Sequence, residues 1–263
     1  MRLPRQSPAE YASFWDDVAA HFPSLKGAAS TEYYFECERM LYEQFFPPLR
    51  DRLLFKTDLW DEAKNTEILR YAAEQGARPA GLDIALGIVQ EAAQVLREHR
   101  PGFIVGDVRA IPFRSDSFDL VYSMGTIEHF PDYDVSVREI FRVLKPGGTA
   151  IIGVPNKLDP FLRPLMVCLL QQCGLYAYGR EKSFTPHALR RLLESHGFRV
   201  KDTSGILFIP GWLRILDLWC YTRRSRLTWL TGWMVRPFAW LYRRLPAVRR
   251  HGYLIACVVD KPV

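Results

Sequence analysis

The sequence predicts an α/β fold, a doubly wound, mostly parallel seven-stranded sheet with helices before it and a helical insertion ahead of its last strand. Three observations carry this reading. Between residues 51 and 156, short apolar runs alternate with longer segments of helical periodicity, and strands separated by helices have connections long enough for parallel pairing. The same alternation resumes after residue 183. The hydrophobic and charged shares, 48% and 24%, are those of one ordinary globular domain, so 263 residues allow a single core with insertions.

The elements follow in order. In the preface, "SPAEYASFWDDVAAHF" opens a helix at Ser7-Pro8, and "TEYYFECERMLYEQFF" stops at Pro47-Pro48 because proline lacks the amide a helix interior needs. A strand over 53–58 leads into a helix through "EAKNTEILRYAAEQG", the strand "AGLDIA" and the helix "GIVQEAAQVLREH". The strands "GFIVGDV", "SFDLVYSM" and "GTAIIGVPN" come next, with the helix "DVSVREIFRVL" before the last of them. Lys145 reads as the final helical turn, Pro146 as its stop and Gly147-Gly148 as the reversal into the strand. Residues 157–182 are apolar but broken by Pro, Arg and Gln, which suits a lid better than a membrane span. "TPHALRRLLESHGF" has Thr185 as N-cap, Pro186 at the first helical position and Gly197 as its stop; "RVKDTSGI" and "HGYLIACVVDKP" supply the last two strands. The single domain therefore divides into a helical preface (1–50), a core (51–156), a lid (157–182), more core (183–210), a basic helical insertion (211–250) and the last strand (251–263).

The five cysteines are scattered without a C-x-x-C pair, which fits free thiols in a reducing compartment better than disulfides or zinc, and no metal is expected. The start, "MRLPRQSPAEYASFWDD", lacks the apolar run of a signal peptide, so a cytoplasmic location is expected, with attachment to the inner face of a membrane as an addition. The net charge of +6 is local. Residues 211–252 hold nine arginines and one acid, Asp217, for +8, leaving −2 on the rest.

The stretch from "GLDIALGIVQEAAQV" through "VGDVRAIPF" and "YSMGTIEHF" to "FRVLKPGGTAIIGVPN" resembles the class I S-adenosylmethionine-dependent methyltransferases, specifically the small-molecule, ubiquinone-biosynthesis-like group. The resemblance covers residues 53–156 and reappears at "FTPHALRRLLESHGFRV". It implies a Rossmann-like fold, S-adenosyl-L-methionine as cofactor and methyl transfer to a small acceptor; the basic, tryptophan-rich insertion adds the expectation that this acceptor is hydrophobic or lipid-linked. It assigns the ribose hydroxyls to Asp83, with Ile84 beside it, and the adenine to Asp107 and the Val108 backbone. Ser123, Met124 and Gly125 then line the cofactor near its methyl group, and Glu128 and His129 lie just beyond. An imidazole can take a proton from an attacking hydroxyl or amine, which makes His129 the candidate base; the alternative is a histidine that only packs locally.

One motif departs. Where the family carries an acid followed by Gly-x-Gly-x-Gly, this chain has "DLWDEAKN", with Asp58 at the acid and Trp60, Glu62 and Lys64 on the glycine positions. Either the loop is rebuilt, with Glu62 meeting the ammonium and Lys64 the carboxylate of the methionyl tail, or the acids cap a helix and Trp60 fills the space, or the alignment shifts. The second reading describes a non-catalytic, methyltransferase-like scaffold or membrane-associated binding protein.

Five of the seven tryptophans (212, 219, 229, 233 and 240) share the basic segment. At helical spacing they suit either an anionic membrane surface, with indoles at headgroup depth, or a lid packed on the enzyme. Nucleic acid is disfavoured because no RNA-binding module is present. Nothing in the sequence sets the oligomeric state.

Overall fold

The computed structural model describes residues 7–263; the expectation of no leader at the chain's start falls partly on Met1–Gln6, outside the described residues. The strands are β1 (Leu53–Lys56), β2 (Arg78–Asp83), β3 (Gly102–Val105), β4 (Phe118–Met124), β5 (Leu144–Pro155), β6 (Arg199–Ile206) and β7 (Leu254–Asp260). They form one sheet in the order β3-β2-β1-β4-β5-β7-β6, parallel except for β7, which runs antiparallel to both neighbours. The order reverses between β1 and β4, and an open sheet of this kind has its crevice there, at the carboxyl ends of the strands.

Strand alternation divides the core. Leu120, Tyr122 and Met124 of β4 face one cluster, with α2 (Ala29–Phe45), α4 (Ile68–Glu74) and α5 (Leu86–Val95). Ala150, Ile152 and Val154 of β5 face the other, with α6 (Tyr133–Val143) and α8 (Pro186–Ser195). In the preface, α1 (Pro8–His21) begins at a capping box in which Ser7 and Glu10 bond each other's backbone amides. Thr185 caps α8 by a one-way bond, accepting from the Ala188 amide. Gly153 permits the close approach of β4, since a Cβ there would collide with the Met124 side chain.

Two expectations need correction. The helix expected through 62–76 is two short ones, α3 (Trp60–Lys64) and α4, parted by Asn65 and by Glu67 with φ of 59°. Polar side chains at the break are spent on tertiary bonds: Asn65 donates to Asp61 (2.8 Å) and accepts from Thr31 (3.1 Å), and Thr66 donates to Glu38 (2.5 Å). Nor is Lys145 helical. The helix α6 ends at Val143, Leu144 already pairs with Phe118, and Lys145–Gly148 bulge out before Thr149 pairs with Leu120. Lys145 instead pairs with Asp119 at 2.8 Å, and Gly147 makes the turn at φ of 75°.

The lid carries α7 (Arg163–Gln172), and the basic insertion carries α9 (Gly211–Thr222) and α10 (Thr228–Arg244). Asp217 of α9 is fully buried and accepts from the Ser30 amide (2.8 Å) and the Thr231 hydroxyl (2.7 Å), which fixes α9 to α2 and α10. All five cysteines are free thiols. Among the described residues no helix is long and apolar enough to cross a membrane.

Candidate functional site

A cavity of about 530 Å³ opens at the carboxyl ends of β1, β2, β4 and β5, under the lid and α9. That volume suits a small-molecule ligand. Of the residues singled out in the sequence, Asp58, Trp60, Asp83, Ile84 and Val108 line it, as do Met124, Gly125, Glu128 and His129. Glu62, Lys64, Asp107 and Ser123 do not.

One end is built by the tips of β2 and β3. Asp83, 8% exposed, accepts from the Leu59 amide through Oδ2 and from the Ala85 amide through Oδ1, each at 2.9 Å. Those bonds lock the carboxylate at the cavity wall and leave each oxygen a second lone pair. Burial raises its pKa to about 7. Next to it, Gly106 and Val108 line the cavity. The Asp107 carboxylate, expected on the adenine, is held instead by Arg109, whose Nε and Nη2 donate to it at 3.0 and 2.6 Å; a guanidinium fork satisfies a carboxylate more completely than a single amine does. Arg109 in turn lies over the rings of Tyr11 and Phe130.

The other end replaces the glycine loop with an ionic cluster. Lys56, the last residue of β1, is wholly buried, and its ammonium lies 3.1 Å from Asp58, 3.0 Å from Glu62 and 3.6 Å from Asp61. Burial alone would lower its pKa; the charges of Asp58, Glu62 and Asp61 overcome that and hold it well above the ordinary lysine value. Glu62 is consumed here. It is fully buried, bonds Lys56 and the Leu69 amide, and burial lifts its pKa to about 7. Lys64 points away and pairs with Glu91 of α5 at 2.6 Å. The expected contacts of Glu62 and Lys64 with a methionyl tail are therefore corrected: a lysine inside the sheet needs carboxylate partners, and α3 turns Glu62 inward to supply one. Ser123, also wholly buried, bonds Thr57 at 2.8 Å beneath the wall, and Thr126 donates to Asp58 at 2.7 Å. Asp58 is thereby held from both sides with its edge in the cavity.

Beyond Gly125, whose φ is 76°, the chain turns into Ile127–His129. Glu128 is 2% exposed, its Oε2 meets no partner among the described residues, and burial raises its pKa well above the ordinary glutamate value. Burial lowers the His129 pKa, which keeps the imidazole neutral. Its Nδ1 lies 3.2 Å from the Arg180 carbonyl, a contact only a protonated nitrogen can make, so Nε2 holds the free lone pair. Around this point Trp15, Phe22, Trp60 and Tyr178 form a cluster with ring centroids 5.1 to 6.0 Å apart. Arg163 and Glu181 pair inside the lid, Tyr176 bonds both, and Arg163 stacks on Tyr253, 4.0 Å from its ring centroid.

Sequence reasoning missed Lys56, Arg163, Glu181, Tyr178 and Arg214. Only Lys56 left a local signal, a cation in an apolar strand followed by acids two, five and six positions on.

S-adenosylmethionine asks of this cavity an acceptor for its ribose hydroxyls and opposite charges for its ammonium and carboxylate. The residues fit. Asp83 would meet the first need, and Asp58 and Asp61 line the other end of the cavity, where the tail would lie. Arg214 of α9 lies there too, 5.2 Å over the Tyr34 ring, and its Nη1 is buried without an acceptor among the described residues. An orphaned guanidinium nitrogen beside two carboxylates is the charge pattern a zwitterionic tail complements, even without glycines.

Comparison with known proteins agrees. The family model of a methyltransferase domain matches residues 65–152. The ubiquinone biosynthesis O-methyltransferase of Methylobacterium sp. is 32% identical over 147 residues, 52% of this chain and 57% of that protein. The 2-methyl-6-phytyl-1,4-hydroquinone methyltransferase of Synechocystis sp. is 26% identical over 189 residues, 67% of this chain and 57% of that one. The chain thus spans little more than half the length of either relative. Among solved structures, the methyltransferase-like partner bound to the Trm112 activator of Haloferax volcanii superimposes with a TM-score of 0.63 at 21% identity, over 96% of this chain and 97% of that one, which is a likeness of fold. The chain carries a methyltransferase domain over residues 65–152 and is similar to class I S-adenosylmethionine-dependent methyltransferases, enzymes whose cofactor is S-adenosylmethionine.

Proposed function

We propose that this enzyme transfers a methyl group from S-adenosylmethionine to a small, hydrophobic or lipid-linked acceptor with an ionisable hydroxyl. One observation carries the reading. A single cavity joins the nucleoside acid Asp83 to an aromatic and aliphatic chamber made by Trp15, Phe22, Tyr178, Leu170 and Leu218. When bound, the cofactor supplies an electrophilic methyl group on a sulfonium, so the chain's own work is to bind, orient and deprotonate. Asp83 holds the ribose, Arg214 and Asp58 the charged tail, and the Val108 backbone the adenine edge. His129 is neutral with Nε2 free and takes the proton of the acceptor hydroxyl. Glu128 lies beside it, its carboxyl pushed toward the protonated form by burial. The lid and its Arg163–Glu181 pair exclude water from the chamber. The names of two relatives, one for ubiquinone biosynthesis and one for a phytyl hydroquinone, support a phenolic acceptor with an alkyl tail. A scaffold whose tail site is filled by Trp60 is the weaker reading, because that indole packs into the wall and leaves the cavity open beside it.

The test is calorimetric titration with S-adenosylhomocysteine, followed by incubation with S-adenosylmethionine and alkylated hydroquinones and mass analysis of the products. Binding and a mass gain of one methyl group are expected. His129→Gln lowers kcat by about a hundredfold or more with cofactor affinity retained. Absence of heat with either cofactor form overturns the reading.

A further inference from the structure

The helices outside the sheet are apolar on the wrong side for a packed lid. On α10, Trp229, Trp233 and Trp240 stand four and seven residues apart and are 72, 62 and 54% exposed, while Val235, Ala239 and Tyr242 supply the inward face. On α9, Trp212, Ile215 and Trp219 are about half exposed, and Leu213 and Cys220 face inward. Leu165 and Leu169 of α7 are likewise exposed, as is Leu175 beyond its end. α7 packs on α9 and α9 on α10, so the helices that carry the three exposed rows are neighbours. Contiguous exposed apolar surface of this kind marks an interaction site.

Charge selects the partner. Asp217, the segment's one acid, is internal, so the exposed surface of 211–250 carries arginines and no carboxylate. Arg223, Arg224 and Arg226 fill the turn between α9 and α10, and Arg236 and Arg244 keep step with the tryptophans. Among the described residues only Arg243 of this group pairs with an acid, Glu36. Arg223 lies over the Trp219 ring at 4.9 Å, holding a cation at the level of an indole. A second copy seated on the same face would set arginine against arginine. A nucleic acid would leave the exposed leucines and isoleucine uncovered. An anionic bilayer answers both demands, with indoles at headgroup depth and guanidinium groups on lipid phosphates.

The cavity opens into this face. Met166, Leu170 and Leu175 on the lid side and Ile215 and Leu218 of α9 line it, and Ile215 is itself 45% exposed. We propose that α7, α9 and α10 form a docking face for an anionic phospholipid leaflet, and that the cavity mouth between α7 and α9 receives a bilayer-dissolved acceptor from that leaflet. This inference rests on the methyltransferase reading for what enters, but not for the docking itself.

The experiment is co-sedimentation of the full chain with vesicles of equal parts phosphatidylcholine and phosphatidylglycerol, against vesicles of phosphatidylcholine alone. Binding to the anionic vesicles is expected, at least about tenfold tighter than to the neutral ones, since each arginine at such a surface contributes about fivefold. Arg223→Glu with Arg224→Glu and Arg226→Glu abolishes that preference. Trp229→Ser with Trp233→Ser, and separately Leu165→Ser with Leu169→Ser, weaken sedimentation about tenfold or more while S-adenosylhomocysteine affinity, measured on the same preparations, stays unchanged. Equal binding to both vesicle types, no binding to either, or a dimer in sedimentation velocity that the tryptophan changes dissolve overturns the proposal. Retained S-adenosylhomocysteine binding alongside lost vesicle binding removes the docking face alone. Vesicle binding without any cofactor affinity upholds the docking face and removes the methyltransferase reading instead.

Discussion

The two ends of the cavity are built on opposite principles. At the nucleoside end, one carboxylate at a strand tip is fixed by two backbone amides of neighbouring turns, and the fold itself does the positioning. At the tail end, backbone glycine has given way to side-chain charge: a buried lysine, the carboxylates around it, and an arginine brought in from a helix more than 150 residues away. The first arrangement is a property of the sheet and survives most changes elsewhere. The second is a network, and a network fails when one member goes.

The largest test of this contrast is Lys56→Met. Removing the ammonium that pairs directly with Asp58, Glu62 and Asp61 leaves buried carboxylates under-compensated, and breaking such a pair costs about 3–5 kcal/mol of stability. Urea unfolding reads it directly, and adding Glu62→Gln restores part of the loss because Glu62 no longer faces an empty place. A variant within about 1 kcal/mol of the parent means that the cluster is incidental to the fold.

Asp83→Asn is the matching test at the nucleoside end. The amide keeps an acceptor for only one of the two backbone amides and loses the charge that receives two hydroxyls, so S-adenosylhomocysteine and 5′-methylthioadenosine should each bind about ten- to a hundredfold more weakly, with a stability loss of about 1–3 kcal/mol from the amide left unpaired. Calorimetry with both ligands separates the ends. Arg214→Met is expected to weaken S-adenosylhomocysteine about tenfold and leave 5′-methylthioadenosine, which lacks the amino-acid tail, unchanged. Equal losses for both ligands place Arg214 away from the tail.

The same contrast explains what the sequence disclosed. The strand and helix alternation, Asp83 at the tip of β2 and the Gly125 turn are local patterns, written within a few residues, and they sit in the cavity wall. The tail end is assembled across the whole chain: Trp15, Lys56, Tyr178 and Arg214 have no spacing that relates them, and their meeting depends on tertiary packing. Glu62 and Lys64 mislead because they stand where glycines are expected, and a motif position does not show which side chains the core buries. The demand of Lys56 for partners would have claimed Glu62 first. Asp107 misleads for a related reason, since Arg109 two residues on is a competitor for its carboxylate that the motif does not show.

The smallest predicted effect is a pH dependence, and it reports on which end governs binding. Burial holds the Asp83 carboxyl at about pH 7 in the free enzyme, above the ordinary aspartate value. Below that pH the group is protonated, one oxygen becomes a donor, and the site loses an acceptor for the ribose. Cofactor binding favours the ionised form, so apparent affinity follows the ionised fraction, and S-adenosylhomocysteine should bind about tenfold more tightly at pH 8 than at pH 6. Glu62 is also raised to about 7, and its ionisation in the cluster beneath the tail is the competing source of such a profile. The two are separable. Asp83→Asn flattens the profile if the nucleoside end governs, whereas Glu62→Gln leaves it in place; the reverse pattern makes the ionic cluster, rather than the sheet tip, the group through which protons act on the cofactor.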